Sequence, residues 1–331
     1  MAKVKRARII YNPTSGREAI LLDLAKIMQI YEEAGYETSA FATTPKPDSA
    51  KKEATRAAKE GFDLIVAAGG DGTINEVING ISGLRKRPKM AILPAGTTND
   101  YARALNIPRG NLIEAAEVIN EKQTIKMDIG QAGKKYFMNI AAIGSLTEIT
   151  YTVPRALKKT IGYFAYLTQG AEAITRIKNV PVKIKHDKGE FIDNASLIFL
   201  ALTNSIGGFE KIVPDAKLDD GYFSLLIVRK ANTAELLRLA TKALTGKHIN
   251  DPLVEYVKTK KVIITPLTKD DMKVNLDGDL GGTAPVTMVN LKRHIEFIAN
   301  LKKTANPVNT DKEMITAEKN FIEQVKENLN D

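Results

Sequence analysis

The 331-residue sequence has no cysteine, no tryptophan and only three histidines. Without thiols there is no disulfide framework, thiolate nucleophile, zinc ribbon or cysteine-ligated iron–sulfur cluster, and three histidines leave little room for a histidine metal cage. Any metal is therefore expected to be held by oxygen. Long apolar runs are also missing: the longest, such as ASLIFLAL at 195–202, fall far short of the roughly 20 residues that span a bilayer. The opening MAKVKRARIIYNPTSG is basic and lacks the apolar stretch of a secretory leader, so a cytoplasmic protein is expected. Several catalytic signatures are absent as well. No G-x-x-x-x-G-K-[ST] occurs and no G-x-G-x-x-G follows the first strand-like run, which disfavours P-loop NTPases and standard dinucleotide dehydrogenases. Missing G-x-S-x-G and H-E-x-x-H remove the usual esterase and zincin readings.

What is present is an ordinary globular composition, 44% hydrophobic and 26% charged, in a chain long enough for about two domains. Lys and Arg total 48 against 39 Asp and Glu, a formal charge of +9. Such a balance attracts polyanions: nucleic acid, nucleotides or an anionic membrane surface. A locally basic stretch carries Arg155, Lys158, Lys159, Arg176, Lys178, Lys183, Lys185 and Lys188, interleaved with Tyr163, Phe164 and Tyr166; it reads equally as a solvated face or a binding face.

Along the first part, short apolar runs alternate with helical patterns: ARIIYN, a helix over 17–34, YETSAFAT, a helix over 49–60, DLIVAAGG, then KMAILPAG and a helical stretch over 111–121. This rhythm predicts a mostly parallel sheet in an α/β unit spanning 1–130. In the first helix Ile20, Leu21, Leu24, Ile27, Met28 and Tyr31 form one apolar stripe, expected to be core. After about residue 130 strand-like segments follow one another with two helical interruptions, near 154–176 and 232–244. A second, β-rich domain over 131–300 is the reading, with a tail over 301–331 that ends in a helix.

The strongest local signal is Gly69-Gly70-Asp71-Gly72-Thr73-Ile74-Asn75, between the run DLIVAA and a helix expected over 76–81. Clustered glycines expose backbone N–H groups, and the helix start adds partial positive charge, so the segment makes an anion cradle suited to phosphate. Asn12-Pro13-Thr14-Ser15-Gly16 ends the first strand, and Pro94-Ala95-Gly96-Thr97-Thr98-Asn99-Asp100 follows the fourth. In an open α/β sheet these three loops share the carboxyl edge where nucleotides bind, and Thr43 at the end of the second strand is a fourth contributor. Further on, Pro214-Asp215-Ala216-Lys217-Leu218-Asp219-Asp220-Gly221-Tyr222 gathers three carboxylates in one turn, hard oxygen donors suited to magnesium or a solvated Asp-Gly turn. Asn275-Leu276-Asp277-Gly278-Asp279 sets two acids in a hairpin signal, where one can accept a proton.

Taken in order, NPTSG, GGDGTINEV, GTTNDYARAL, PDAKLDDGYF and NLDGD resemble the soluble bacterial diacylglycerol kinases, of the lipid kinase family that includes eukaryotic sphingosine and diacylglycerol kinases. The resemblance covers the chain to about residue 300. It implies an N-terminal α/β nucleotide-binding domain, a C-terminal β-sandwich domain, ATP held between them and a lipid hydroxyl as acceptor. It further implies that Asn12, Pro13, Thr14, Ser15, Gly16, Thr43, Gly69, Gly70, Asp71, Gly72, Thr73, Ile74, Asn75 and Thr97 meet ATP. The carbonyl of Lys217, the carboxylate of Asp220 and the carbonyl of Tyr222 would hold a structural Mg2+. Asp71 and Asp100 would lie near the phosphates or a catalytic magnesium, with Asp128 supporting them. The family's L-D-G-E reads Leu276-Asp277-Gly278-Asp279 here, so Asp279, one methylene shorter, stands at the proton acceptor's position, with Asp277 as the competing base. The implied activity makes phosphatidic acid in lipid recycling, by an enzyme that binds an anionic membrane surface peripherally, needs no nucleic acid and works as a homodimer. Two other readings explain part of the pattern. A NAD kinase-like or other small-molecule kinase keeps GGDG and ATP, and a non-enzymatic nucleotide- or nucleic-acid-binding regulator explains the charge but not the clustered acids.

Overall fold

The computed structural model describes residues 4–96, 99–144, 174, 176–204, 212–243, 245–269 and 271–301. Thr97, the basic and aromatic residues Arg155, Lys158, Lys159, Tyr163, Phe164 and Tyr166, most of the helix expected over 154–176 and the tail from residue 302 lie outside them. Among the described residues no helix is long and apolar enough to cross a membrane.

The first unit alternates β1 (Lys5–Tyr11), α1 (Ala19–Glu33), β2 (Tyr36–Ala42), α2 (Ser49–Lys59), β3 (Leu64–Gly69), α3 (Asp71–Ile81) and β4 (Lys89–Pro94), followed by the short helices α4 (Asp100–Ala104) and α5 (Leu112–Glu117). Strands β2, β1, β3 and β4 are neighbours in that order, and all pair in parallel. β3 reads LIVAAG and is buried at every position, as a strand covered on both faces must be. In α1, Ile20, Ile27, Ile30 and Tyr31 face this core, but Leu21, expected in the stripe, is 46% exposed: about 100° round the helix from Ile20, it lies at the outer edge of the stripe. The first helix also begins later than the apolar pattern predicts, because Ser15–Glu18 forms a 3-10 turn before it. Conversely, α3 begins at Asp71 rather than near 76, so the glycine motif is itself the helix start. Helices α2 and α3 touch at Gly80, where an added Cβ would stand 2.5 Å from the Lys51 carbonyl oxygen; only glycine permits that approach.

The second unit contains β5 (Thr124–Ala132), β6 (Lys135–Phe137), β7 (Ile140–Ile143), β8 (Val180–His186), β9 (Gly189–Ala201), β10 (Phe223–Arg229), α6 (Thr233–Ala243), β11 (Val254–Thr259), β12 (Lys261–Pro266), β13 (Lys273–Leu276), β14 (Asp279–Thr283) and β15 (Val286–Ile298). Most of its pairings are antiparallel. The 13-residue β9 pairs with β8 along its first half and with β7 and β10 along its second, which wraps the strands around a core of Phe137, Val182, Ile184, Ile198, Leu200, Phe223, Leu225 and Ile264. The run KKYFMNIAAIG, one strand by pattern, is two, and the break falls at Met138 and Asn139. The segments APVTMVNL and HIEFIAN, two strands by pattern, are the single β15, whose register shifts between Leu291 and Ile295 around Arg293 at φ 51°. β15 joins both units. It pairs with β12, with β5 and, in parallel, with β4, and its Ile295, Phe297 and Ile298 enter the first core.

Candidate active site

The loops that follow β1, β3 and β4 open at one edge of the parallel sheet because parallel strands all present their carboxyl ends there. Asn12 shapes the first: its Oδ1 accepts from the N–H and the hydroxyl of Thr14, both at 3.0 Å, while its own N–H donates to the Ala68 carbonyl at 2.9 Å. Ser15 is buried, and Thr43 donates its N–H to the Tyr11 carbonyl at 2.8 Å, which holds it beside this turn. The second and third loops meet glycine to glycine: a Cβ on Gly96 would lie 2.6 Å from the Gly70 Cα. Such contact leaves main chain, not side chains, to line that stretch of the crevice, the arrangement a phosphate cradle needs. A Cβ on Gly69 would in turn meet the Thr73 hydroxyl at 2.5 Å.

Asp71 is the first residue of α3, and its Oδ2 accepts the Asn99 N–H at 3.0 Å, so the carboxylate ties the second loop to the third. Asn99 closes its own loop, its side chain exchanging hydrogen bonds of 2.9 and 2.8 Å with the main chain of Gly96. Asp100 is buried at the start of α4. Ile74 points into the first core and its N–H bonds the Gly70 carbonyl, so of the glycine motif it contributes packing. Asn75 turns its amide away from the loops and donates to Asp277 Oδ2 at 2.9 Å, 202 residues along the chain.

Asp277 and Gly278 both take positive φ, 51° and 93°, the two-residue turn that joins twisted antiparallel strands. The turn aims the Asp277 carboxylate inward. Oδ2 accepts from Met138 N–H at 2.7 Å as well as from Asn75, and Oδ1 accepts from Asn139 and Ile140 N–H at 3.0 and 2.8 Å. Burial pushes this carboxyl up to about 6, while the N–H donors pull the other way. Asp279 starts β14 and is exposed at the rim. Tyr101, wholly buried, donates a hydrogen bond from its hydroxyl to the Met138 carbonyl; burial first, and then the charges of Asp277, Asp71 and Asp128, hold it protonated well above the usual tyrosine range.

The acidic turn at 214–222 is clamped from below by Asp128, whose Oδ2 accepts the Gly221 N–H at 2.6 Å and Oδ1 the Arg293 N–H at 2.8 Å. Burial raises the Asp128 carboxyl, the main-chain donors oppose it, and the charge of Asp220 adds to the rise. Of the turn's three acids, Asp215 meets Tyr256 and Lys258, and Asp219 meets Arg293 at 2.9 Å. Asp220 Oδ1 accepts the nearby Tyr222 N–H at 2.9 Å. Among the described residues no group of three His, Asp or Glu side chains is arranged around a metal; the Lys217 carbonyl, Asp220 and the Tyr222 carbonyl amount to one carboxylate and two carbonyls. That all-oxygen set is chemically suited to magnesium. The residues that sequence reasoning missed are Tyr101, Asn139 and Asn79, all uncharged, and only Asn79 carried a signal, its spacing of four from Asn75.

A parallel sheet with glycine loops at its carboxyl edge, closed over by an acid-bearing hairpin from a β-rich unit, is the build of a nucleotide-dependent phosphotransferase. Residues 6–132 match the family model described as the diacylglycerol kinase catalytic domain, and residues 147–299 match the YegS C-terminal NAD kinase beta sandwich-like domain. The chain is 49% identical to a diacylglycerol kinase of Bacillus subtilis (strain 168) over 304 residues, 91% of this chain and 98% of that one. It is likewise 49% identical to a diacylglycerol kinase of Staphylococcus aureus (strain Newman) over 295 residues, 89% of this chain and 92% of the relative. A crystal structure of a diacylglycerol kinase from Bacillus anthracis (strain Sterne) superposes with a TM-score of 0.73 at 27% identity, covering 92% of this chain and all of that one. The chain belongs to the diacylglycerol kinase family, and its fold is a mixed sheet with parallel N-terminal strands and a C-terminal β-sandwich-like domain.

Proposed function

We propose that this chain transfers the γ-phosphoryl group of ATP to the free hydroxyl of diacylglycerol, giving phosphatidic acid and ADP. The observation that carries the reading is the meeting of three glycine-bearing loops, with the Asp277 turn bonded to Asn75 of the helix that the second loop opens, in a chain 49% identical to diacylglycerol kinases over nearly its whole length. In this reading Asn12 to Gly16, Thr43, Gly69 to Thr73 and Thr97 hold ATP, the glycines through their main chain, while Ile74 and Asn75 of the expected set back the cradle, one as core packing and the other as the link to Asp277. Asp71 and Asp100, at the starts of α3 and α4, hold the metal that accompanies the phosphates. Mg2+, when bound, supplies neutralisation of the charge on the transferring group. Asp279 takes the hydroxyl proton. Asp277 is the poorer base because both of its oxygens already accept two N–H groups, and a base must first reach its proton. The domain division at about residue 130 puts the nucleotide on the first unit and the lipid on the second. Cytoplasmic, peripheral attachment to anionic lipid rests on the net charge of +9, at about 1 kcal/mol per well-placed Lys or Arg.

Radiolabelled ATP offered with magnesium to diacylglycerol, sphingosine and NAD, with and without lipid micelles, tests the reading. Label is expected in phosphatidic acid and only with micelles; label in NADP would overturn it. The structural magnesium at Lys217, Asp220 and Tyr222 has a test of its own. Binding to the native state alone stabilises by about 2.7 kcal/mol when the metal stands at 100 times its dissociation constant. The parent's melting temperature is therefore expected to rise with magnesium, and that of Asp220→Ala to stay flat. Equal magnesium responses in differential scanning calorimetry would remove the site.

A further inference from the structure

Helix α3 carries Asp71, Asn75 and Asn79 at intervals of four, one above another on a single face, while Ile74, Val77, Ile78 and Ile81 fill the core on the other. Asparagine is a poor residue for a helix interior, so two of them in eleven positions are not there for helix formation. Each has a defined task. Asn79 reads the main chain of Tyr136 in β6 twice: its Oδ1 accepts the Tyr136 N–H at 2.9 Å and its Nδ2 donates to the Tyr136 carbonyl at 2.8 Å. Because Tyr136 offers one donor and one acceptor, the Asn79 amide has one orientation. The second hydrogen of the same Nδ2 is shared between Asn75 Oδ1 at 2.9 Å and the Asn75 carbonyl at 3.0 Å. With its oxygen so occupied, Asn75 must present Nδ2 outward, and that group meets Asp277 Oδ2 at 2.9 Å.

Asp277 completes the circuit by accepting the N–H of Met138, two residues beyond Tyr136. A closed polar ring therefore runs Tyr136, Asn79, Asn75, Asp277, Met138, and it joins α3, the corner between β6 and β7, and the β13–β14 turn. The two functional acids hang from opposite sides of it. Asp71 lies one helical turn before Asn75, and Asp279 lies two residues after Asp277.

We propose that Asn79 is a positioning residue for phosphoryl transfer: by holding Asn75 in the orientation that grips Asp277, it fixes the β13–β14 hairpin, and Asp279 with it, against the nucleotide loops at the start of α3. The proposal rests on the function set out above, and it assigns Asn79 no contact with either substrate. Asn79→Asp keeps the shape and the bond from Tyr136 N–H but sets a carboxylate against three oxygens, those of the Tyr136 carbonyl, the Asn75 carbonyl and the Asn75 amide, so the orientation of Asn75 is lost.

Three readouts on the full chain test this. Turnover of diacylglycerol in mixed micelles by Asn79→Asp is expected to fall by about 100-fold, the scale of a 1 Å misplacement of reacting groups, with the dissociation constant for magnesium ATP unchanged. Hydrogen exchange of the peptide covering 273–283 is expected to quicken in Asn79→Asp, although that segment is far away in sequence. The double variant Asn79→Asp with Asp277→Asn is expected to be no slower than the slower single variant, since both break one ring. Parental turnover, unchanged exchange at 273–283, or a double variant that loses the product of the two single losses would each overturn the proposal. Should Asn79→Asp not yield folded protein, Asn79→Ser, too short to span from Tyr136 to Asn75, carries the same comparison. If the parent phosphorylates no lipid, the functional reading fails, and the exchange of 273–283 still decides whether Asn79 fixes the hairpin.

Discussion

Asp279→Asn is expected to fold, to bind ATP as the parent does, and to lose phosphoryl transfer to diacylglycerol by about 10²- to 10⁴-fold, the contribution of a positioned general base. The expectation follows from the division of labour within one turn. Asp277 faces inward with both oxygens engaged by main-chain and Asn75 donors, whereas Asp279 opens the edge strand β14 and is exposed. A base must approach the hydroxyl to about 3 Å, directly or through one water. Replacing glutamate by aspartate withdraws the carboxylate by roughly 1.5 Å, a distance that a water can bridge. Asp279→Glu is therefore expected to retain substantial activity, since the side chain at this position is exposed and glutamate restores the family residue. Single-turnover quench rates for Asp277→Asn, Asp279→Asn and Asp279→Glu, each paired with an equilibrium ATP titration, check the assignment. Parental transfer by Asp279→Asn, together with an inert Asp277→Asn that still binds ATP, would give the base to Asp277.

The second large effect is expected at Asp71. Asp71→Asn leaves an oxygen able to accept the Asn99 N–H, a bond of 3.0 Å in the parent, so the junction between the second and third loops survives. The negative charge does not. A metal that organises the transferring phosphates is worth several kcal/mol, and its loss corresponds to a fall on the order of 10²- to 10³-fold in turnover. Urea unfolding of the variant is expected to match the parent while kcat collapses, and raising magnesium is expected to recover part of the rate. Near-parental turnover by purified Asp71→Asn would end its role at the metal.

The parallel sheet was legible because fully buried strands such as LIVAAG and the helices between them obey different periods, and the sheet edge that carries the loops followed from it. Local pattern misjudged the places where local preference is overruled. Glycines at 70 and 72 read as loop, yet Asp71 starts a helix that packs on β3 through Ile74 and Ile78. Polar residues around Arg293 read as a gap between strands, yet β15 continues through them with a shifted register because β5 and Asp128 hold it. At the site, charge and glycine content marked Asp71, Asp220, Asp277 and Asp279. What could not be read was which acid faces inward, because that depends on Met138, Asn139 and Ile140 arriving from 137 to 139 residues away. Tyr101 and Asn139 were silent for the same reason, their partners being brought by the fold, and the spacing of four between Asn75 and Asn79 did not reveal Tyr136 as the partner of Asn79.

The most direct measurement is a competition in one vessel: the full chain, magnesium and radiolabelled ATP, with diacylglycerol in anionic mixed micelles and NAD at equal concentration, quenched after a single turnover. Label is expected in phosphatidic acid, at a rate that falls at least about 100-fold with Asp279→Asn. Label in NADP with the lipid unlabelled, or transfer to lipid at the parental rate by Asp279→Asn, would contradict it.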